Sequence, residues 1–530
     1  MSANVTVGAG KTTLMHKALI AADADAIIAA PSHKLAEQQR RDLIASGAYD
    51  DRDIEVWRGM GQPDYYATGH LMCRRHNYMK EALSAGLIVE HVCKICPHNG
   101  SAKATAPTCG ATYQRKRMDV QVWIVPHALL TDPKLNLPRP IGGERVLIVD
   151  EALPARDAVV LDPADDLGPV SKTFLLNTHE QLLLGRHRSQ LACVILATAN
   201  GQHVSRETMT TYGFTADSVA EALALEKNTQ VMVLATGDLA VDGPRFADAR
   251  KAHSSKRMKL WQLLLEMLEG EEAASPHVLA HNGRAHMRWQ SRLTQGVDKL
   301  PVLLLDATAE PTINRLTWPH RQEAADLRIA APYERRVRVT GTTFAKSWQV
   351  VSEDANERTN ATRRNNVERL RRMLEHRAAL AWPRTVGFIG HLATVEALRG
   401  GNLPKNLVTG HFNALRGLNT FEGVAELLVC GRTLPDERTI LAMARGRFGT
   451  MNPTLEQLHA IRRSICENEI TQAIGRGRGI RRSAADPLRV FVMSDIQTGE
   501  PDHEAIAWDA LQPLPPLVER MPSFFIRLDC

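Results

Sequence analysis

Short apolar runs recur along the chain at intervals that fit buried parallel strands. Val146–Val149 is typical, because four consecutive apolar residues, three of them β-branched, are followed by the polar pair Asp150 and Glu151. Continuous apolar runs indicate strands buried on both faces of a sheet. Comparable runs predict further strands at Ala26–Ala30, Val120–Val125, Val302–Leu305, Thr385–Ile389, Leu427–Cys430 and Val490–Met493.

Helical patterns occupy much of the chain between these runs. Leu14–Ile20 predicts a helix directly after the first apolar stretch, and Met258–Leu268 is amphipathic. The stretch 155–298 is mostly helical in pattern, and Leu455–Arg478 is predicted as one helix. Strands alternating with helices on either side of residues 310–330 predict two stacked α/β domains.

A glycine-rich turn lies between the first apolar stretch and the first predicted helix. Gly8 and Gly10 let backbone N–H groups curl around a phosphate at the positive end of that helix. Lys11 can reach the β- and γ-phosphates, and the Thr12 hydroxyl can take a Mg²⁺ position. Val5 stands where the strict phosphate-loop pattern has glycine, so an ordinary turn is the alternative until a partner motif is found. The candidate residues of this loop are Gly8, Ala9, Gly10, Lys11, Thr12 and Thr13.

The partner motif is the pair of carboxylates that follows Val146–Val149. Ligands bind at the carboxyl ends of parallel strands. There Asp150 can hold Mg²⁺ through water, and Glu151 can polarise the water that attacks a γ-phosphate. Two solvated loop acids are the alternative, but that alternative leaves Lys11 and Thr12 unexplained. The two motifs together predict hydrolysis of a nucleoside triphosphate, with Lys11 and Glu151 as catalytic residues.

The number and distribution of charged residues indicate a class of binding partner. The 530-residue chain carries 65 Lys and Arg against 59 Asp and Glu, a net charge of +6, and arginines are dense in 363–372 and 461–482. Such density suits polyphosphate contacts, although a solvated helix face is the alternative for the first stretch. No apolar run approaches the roughly 18 residues of a membrane span, and no signal-peptide pattern opens the chain. We therefore expect a cytoplasmic protein without a membrane partner.

Half of the eight cysteines fall within one short segment. They are Cys73, Cys93, Cys96 and Cys109. Cys93 and Cys96 form a C-x₂-C knuckle, the spacing that lets two thiolates converge on one metal. Four thiolates suit either tetrahedral zinc or a four-iron cluster, whereas a cytosolic chain disfavours disulfides. A mixed zinc site stays open because four histidines are near, and chance clustering without a metal is the third alternative. Those histidines are His70, His76, His91 and His98.

The order of these motifs resembles that of superfamily 2 helicases, and more narrowly the XPD/DinG-like group with an iron–sulfur domain. Between the Asp-Glu pair and the second α/β section stand a helical insertion and a short Thr-containing motif, Asp306–Ala309. Pro31–Leu35 resembles the DNA-contacting segment of that group, and Trp123–Leu130 its segment with a central histidine. Gln472–Arg478 is similar to motif VI, whose arginine reaches across the domain cleft to the γ-phosphate.

The resemblance implies a fold of two RecA-like parallel-sheet motor domains, the first carrying a cysteine-rich insertion and a helical insertion. Domain 1 would span 1–310, interrupted by a metal-binding cysteine-rich insertion at 51–118 and an arch-like helical insertion at 155–298. Domain 2 would span 330–497, followed by a C-terminal tail at 498–530.

Departures from the group's pattern affect single roles. Leu153 replaces the histidine of the D-E-A-H box, so any coupling role of that histidine is absent. Motif VI usually has its second arginine where this chain has Gly479. The arginine finger is therefore open between Arg476 and Arg478, with Gln472 expected to act in the same motif. The first strand is short, so either the start of the protein lies further upstream or base recognition is weak.

The resemblance also implies activity, cofactors and partners. We expect an ATP-dependent DNA helicase, active in repair or replication, that translocates 5′ to 3′ on single-stranded DNA and unwinds forked duplexes. ATP, Mg²⁺ bound through Thr12 and Asp150, and a [4Fe–4S] cluster on the four clustered cysteines are the implied cofactors, with Zn²⁺ as the alternative metal. One rival is a DNA-stimulated translocase that remodels protein–DNA complexes without unwinding. The other is a P-loop nucleotide switch or kinase with a structural zinc ribbon.

Overall fold

The computed structural model covers most of the chain. It describes residues 2–6, 8–100, 108–131, 145–151, 153, 158–170, 176–229, 236–252, 254–294, 296–308, 310–320, 322–415, 420–498 and 501–513. Ala309 of the expected Thr-containing motif and residues 514–530 of the expected tail lie outside these ranges.

The first section of the chain alternates strands and helices, as the apolar runs predict. Its elements up to the Asp-Glu pair are β1 (Ser2–Val5), α1 (Lys11–Ala22), β2 (Ala26–Ala30), α2 (His33–Ala45), β3 (Ile54–Val56), α3 (His76–Ser84), α4 (Val89–Lys94), α5 (Gly110–Lys116), β4 (Val122–Pro126), α6 (His127–Thr131) and β5 (Val146–Asp150). The following elements are β6 (Val159–Leu161), α7 (Pro163–Asp166), α8 (Thr178–Ala197), β7 (His203–Ser205), α9 (Arg206–Thr211), α10 (Ala216–Lys227), α11 (Leu239–Ala252), α12 (Ser255–Glu269), β8 (Ala274–His281), β9 (Arg284–Met287), β10 (Val302–Asp306), α13 (Pro311–Thr317) and β11 (Glu323–Leu327).

Seven of these strands form one parallel sheet, in the order β11-β1-β10-β5-β2-β4-β3. All five residues of β2 are buried, as expected for a strand covered on both faces. Because the strands run parallel, the ends of β1, β5 and β10 share one edge, which brings the phosphate loop to Asp150 and Asp306. The sheet continues through β11 to Leu327, so the first domain extends beyond the expected boundary at residue 310.

The expected arch-like helical insertion is a mixed α/β unit, which corrects the prediction from the sequence. Its helices pack with a four-stranded antiparallel sheet, β6-β9-β8-β7, around buried residues that include Trp261 and Phe214. Along β8, buried residues such as Val278 and Ala280 alternate with more exposed ones. This two-residue period marks a strand, but it is short and lies between long helical patterns.

The second section repeats the α/β plan. Its elements are β12 (Glu334–Thr340), α14 (Lys346–Gln349), α15 (Glu357–Ala381), β13 (Val386–Gly390), α16 (Leu392–Arg399), β14 (Leu407–His411), β15 (Glu426–Cys430), α17 (Glu437–Phe448), α18 (Leu455–Ile465), α19 (Glu467–Gly475), β16 (Leu488–Met493), β17 (Glu504–Ala507) and α20 (Trp508–Leu511). Six strands form a second parallel sheet, β14-β13-β15-β16-β12-β17. The chain thus folds as two parallel-sheet domains of RecA-like type.

The second domain does not end at residue 497. β17 pairs with β12, and the Trp508 ring packs at 5.2 Å from that of Phe344. Residues 504–511 are therefore part of the domain rather than of a tail, because burial of Trp508 and Leu511 closes its core.

The predicted helix Leu455–Arg478 is two helices, α18 and α19. The buried Cys466 lies between them, and the Thr433 hydroxyl donates to the Ile465 carbonyl at 2.6 Å. A side-chain donor at a helical carbonyl is a recognised cause of a break. α19 ends at Gly475, so the arginines of this motif lie in the following loop.

The two domains contact each other close to the end of β10. Arg463 of α18 donates to both Glu310 carboxylate oxygens at 2.8 and 2.9 Å, and the Asn468 amide donates to the Thr308 carbonyl at 2.6 Å. These contacts place α19 opposite the phosphate loop. Among the described residues, no helix is both long enough and apolar enough to cross a bilayer.

Candidate nucleotide-binding site

The phosphate loop has the backbone conformation that its glycines predict. Gly8 and Gly10 have φ values of +84° and +78°, which residues with a Cβ rarely adopt. A Cβ at Gly8 would also lie 3.5 Å from both the Arg478 Cδ and the Gly475 carbonyl oxygen. α1 begins at Lys11, directly after Gly10, so its N–H groups and positive dipole end face the loop.

Thr12 and Asp150 meet at the carboxyl edge of the first sheet. The Thr12 hydroxyl donates to Asp150 Oδ2 at 3.3 Å, and the Gln39 amide donates to the same oxygen at 2.9 Å. Hydroxyl and carboxylate oxygens are the donors that Mg²⁺ prefers, and nucleotide sites use one or two carboxylates with phosphates and water. The residues present therefore fit Mg²⁺ bound together with a nucleotide.

Burial and neighbouring charges shift the pKa values of Asp150 and Lys11 at the carboxyl edge of the first sheet. Burial, reinforced by Glu151, raises the pKa of Asp150 to about 6, while Lys11 and Thr12 oppose the rise. Burial lowers the pKa of Lys11, against the attraction of Asp306, Asp150 and Glu151. The Lys11 ammonium donates to the Val5 carbonyl at 3.4 Å. Clustered carboxylates around one lysine are a setting in which an added cation is favourable.

Glu151 occupies an unusual backbone conformation. Its φ is +67°, in the left-handed region that is uncommon for residues other than glycine. Glu151 directly follows β5, and such backbone strain tends to cluster at functional sites. This feature is invisible in the sequence.

The second domain completes the site from across the cleft. An Arg476 guanidinium nitrogen lies 3.8 Å from a Glu151 carboxylate oxygen, and the Gln472 amide donates to the Thr308 hydroxyl at 3.2 Å. Thr308 is in turn bonded through its N–H and hydroxyl to Asp306, at 2.8 and 3.1 Å. Gln472 thus connects the second domain to the Thr-containing motif of the first.

These groups line one cleft of about 340 Å³, called here the nucleotide cleft. The predicted residues that line it are Gly8, Gly10, Lys11, Thr12, Thr13, Asp150, Glu151, Gln472, Arg476 and Arg478. Ala9 does not line the cleft, and its N–H donates to the Thr6 carbonyl at 3.2 Å. The cleft is also lined by Asp306 of the Thr-containing motif and by residues that were given no site role from the sequence, which are Gln38, Gln39, Arg41, Asp42 and Arg481.

The departure at Gly479 has a steric cause. A Cβ at this position would lie 1.7 Å from Glu334 Oε2, and the other carboxylate oxygen of Glu334 accepts from Arg336 at 2.6 Å. An arginine therefore cannot occupy position 479 unless Glu334 moves. Arg478 and Arg481, on either side of it, face the phosphate loop instead.

The four clustered cysteines lie in one region but do not form a metal site there. Burial raises the pKa of Cys73 to about 11, and the other three thiols act in the same direction. Burial also raises the pKa of Cys93, although Arg115 opposes the rise. Across the described ranges, no three Cys, His, Asp or Glu side chains are placed to hold a metal ion. The arrangement does not fit a cluster or zinc as it stands, and the metal in this insertion stays a prediction.

Comparison with known proteins gives structural neighbours only. No known family profile matches the chain, and no curated protein matches its sequence. A structure described as an XPD helicase is 12% identical, with a TM-score of 0.44, over 93% of this chain and 92% of that one. Xpd4 of S. tokodaii is 10% identical, with a TM-score of 0.36, over 93% and 91%. A truncated XPD is 13% identical, with a TM-score of 0.33, over 62% and 94%. The structural neighbours are thus of the group that the motifs resemble, and at these scores the assignments below rest on the geometry of this chain.

Proposed function

We propose that this protein is an ATP hydrolase that couples hydrolysis to movement along single-stranded DNA and to opening of forked duplexes. The observation that supports the proposal is the placement of arginines of the second domain opposite the phosphate loop and Glu151 of the first. A nucleotide in this cleft would contact both domains. Gain and loss of its γ-phosphate would therefore change how the two domains contact each other.

The residues of the first domain have distinct proposed roles. Lys11 and the loop N–H groups bind the β- and γ-phosphates, and Thr12 with Asp150 holds Mg²⁺. Bound Mg²⁺ neutralises charge that develops on the phosphates. Glu151, held by its left-handed backbone, orients the attacking water.

Arg476 has a proposed role that depends on the nucleotide. Its guanidinium lies 3.8 Å from the Glu151 carboxylate. A γ-phosphate carries more negative charge than one carboxylate, so it would draw Arg476 away and leave Glu151 available to the water. Hydrolysis would thereby depend on the second domain being in place.

The mechanical part of the proposal follows from this shared site. Two domains that close on ATP and open after hydrolysis can move stepwise if both hold the same strand. The 5′ to 3′ polarity is carried over from the resemblance to XPD/DinG-like helicases.

Two measurements on one preparation test the function. ATP turnover is measured with and without a dT oligonucleotide, and strand displacement is measured on forked duplexes with either a 5′ or a 3′ tail. We expect stimulation of turnover and displacement only from the 5′ tail. ATP turnover that DNA stimulates, without strand displacement, would identify a translocase. ATP turnover that DNA does not change would contradict the proposal in favour of a nucleotide switch.

A further inference from the structure

Gln39 of α2 is a buried amide at the wall of the nucleotide cleft, with 1% of its surface exposed. Its Nε2 donates to Asp150 Oδ2 at 2.9 Å, and its Oε1 is buried without a hydrogen-bond partner among the described residues. Only the NH₂ end of an amide can donate to a carboxylate, so Asp150 fixes which end is left over. A buried acceptor without a partner is unfavourable, so a ligand that donates a hydrogen bond would be stabilised here.

Two other buried glutamines use both ends of their amides. Gln114 accepts from the Arg58 N–H at 3.0 Å and donates to the Arg58 carbonyl at 3.2 Å. The buried side chain of Gln349 likewise has a hydrogen-bond partner at each end. The free acceptor therefore distinguishes Gln39 from these amides, whose hydrogen bonds serve the packing of the core.

Asp150 accepts two hydrogen bonds on the same carboxylate oxygen. The Thr12 hydroxyl donates to Oδ2 at 3.3 Å, and Gln39 donates to that atom as well. Two donors on one oxygen fix the direction of the carboxylate and leave Oδ1 for a metal. Hydrogen bonds of this kind orient the carboxylates that ligate metals in proteins. Gln39 thus has the position of a residue that supports a metal ligand.

Mg²⁺ that binds with a nucleotide brings hydrogen-bond donors into a cleft. The ion dehydrates reluctantly, so it keeps several waters when one or two carboxylates and phosphates hold it. Those waters are polarised by the metal and need acceptors. The Gln39 Oε1 belongs to the amide that bonds Asp150, so this acceptor lies next to a proposed metal ligand. It is neutral, and it adds no charge to the carboxylates that already surround Lys11.

The nucleotide itself is the other source of a donor for Oε1. A ribose hydroxyl or a base amine could supply it, but both belong to the nucleoside end of the ligand. Gln39 instead adjoins Asp150 and Thr12, at the end of the cleft where the phosphate loop binds phosphates. Water on the metal therefore fits the acceptor better than the nucleoside does.

We propose that Gln39 is a positioning residue for Mg²⁺, whose Nε2 directs Asp150 and whose Oε1 accepts a hydrogen bond from a water that the metal carries. The inference rests on the proposed function, since it adds an outer contact to the metal that Thr12 and Asp150 hold there. It gives α2 a part in nucleotide binding that neither the phosphate loop nor the Asp-Glu pair accounts for.

The test is equilibrium binding of a fluorescent ADP analogue to the full chain, measured in EDTA and over a Mg²⁺ titration. Gln39→Met keeps an unbranched side chain of similar length and removes both polar ends. We expect the Mg²⁺ concentration for half-maximal tightening of ADP to rise about tenfold, with the affinity in EDTA unchanged. Gln39→Glu keeps an acceptor and adds attraction for the cation, so its Mg²⁺ affinity should be at least that of the wild type. Gln349→Met, an equally buried amide that does not line the cleft, is the matched control and should behave as wild type.

Thermal unfolding in EDTA and in Mg²⁺ shows which variants are folded, and Gln39→Met decides by itself if Gln39→Glu does not fold. An unchanged Mg²⁺ midpoint in Gln39→Met would overturn the inference. Equal losses of ADP affinity in EDTA and in Mg²⁺ would also overturn it, because they indicate a role in packing or in nucleoside binding. A folded Gln39→Glu protein with the same loss of Mg²⁺ affinity as Gln39→Met would overturn the acceptor role. All three results leave the proposed function standing, whereas a wild type whose ADP affinity does not depend on Mg²⁺ would contradict the proposed function and the inference with it.

Discussion

Arg476 of the second domain lies 3.8 Å from the Glu151 carboxylate of the first, across the nucleotide cleft. Both side chains are largely withdrawn from solvent, with 9% and 20% of their surfaces exposed. The pair joins the residue expected to orient water to a residue expected to stabilise the γ-phosphate. In the proposed function, domain position and hydrolysis would therefore be linked through these two charged groups.

Removal of the loop lysine should abolish turnover. Lys11→Ala deletes the cation that faces the β- and γ-phosphates, and we expect ATP turnover to fall at least about 100-fold. The fold should persist, since burial of the Lys11 charge is itself unfavourable. Steady-state ATPase assays and thermal unfolding check both points, with the exposed Lys17→Ala of the same helix as control. Turnover near the wild-type rate would show that the loop does not bind the reacting phosphates.

Glu151→Gln should separate binding from chemistry. The amide fits the same space but cannot accept a proton from water, so we expect retained ATP binding and turnover lower by about 10²–10⁴. Binding of a fluorescent ATP analogue and single-turnover hydrolysis are the measurements. Glu207→Gln, exposed in the insertion at 155–298, is the control. Unchanged single-turnover hydrolysis in Glu151→Gln would remove Glu151 from the mechanism.

The arginine finger can be assigned by paired variants. If Arg476 is the finger, Arg476→Ala should lower turnover by about three decades with nucleotide binding near normal. Arg478 packs against Gly8 of the loop, so Arg478→Ala should weaken nucleotide binding as well. The turnover rate and the affinity for nucleotide of each variant are measured in the same ATP titrations. The opposite pattern would assign the finger to Arg478.

The stability of the protein should depend on Asp150 and on pH. Its pKa is about 6 in the folded protein against an ordinary 3.8, so the folded state retains a proton that the unfolded state loses between these values. The unfolding free energy should then fall as pH rises from about 4 to 6 and stay low above that range. Asp150→Asn lacks this loss, so in Mg²⁺-free buffer it should be more stable at pH 7 by up to about 3 kcal/mol and little changed at pH 4. Urea unfolding at both pH values is the measurement, and an equal difference at both would contradict it.

Metal in the cysteine-rich insertion is tested by content and by one substitution. As placed, the described side chains of this insertion do not hold a metal ion, so metal binding would require the four thiols to rearrange. If they do, protein purified without oxygen should contain iron and sulfide, or zinc as the alternative, and be coloured if a cluster is present. Cys96→Ser should lose that metal and, with it, strand displacement. It should keep part of the ATPase activity, because the affected unit lies outside the two parallel sheets. Elemental analysis of both proteins is the readout, with the exposed Cys193→Ser as control. Wild-type protein without stoichiometric metal would show that the four thiols serve packing alone.

Strand positions were predictable from the sequence because a strand buried on both faces needs a continuous apolar run. β2 has the predicted bounds. β5 and β10 are each one residue longer than predicted, because they include the aspartates that follow their apolar runs, Asp150 and Asp306. β8 was missed, since its alternating pattern is short and flanked by helices. The break at Cys466 was missed because Thr433, which bonds at that point, is distant in sequence.

The sequence by itself determined which residues could bind phosphate. Gly8, Gly10, Lys11 and Thr12 are contiguous, and their chemistry depends on local backbone conformation and on the start of one helix. Only the tertiary structure decided which distant side chains join them. Gln39 reaches Asp150, and Glu334 excludes a side chain at Gly479. Those contacts depend on how sheets and helices pack, and packing between residues more than a hundred positions apart leaves no periodic pattern in a single sequence.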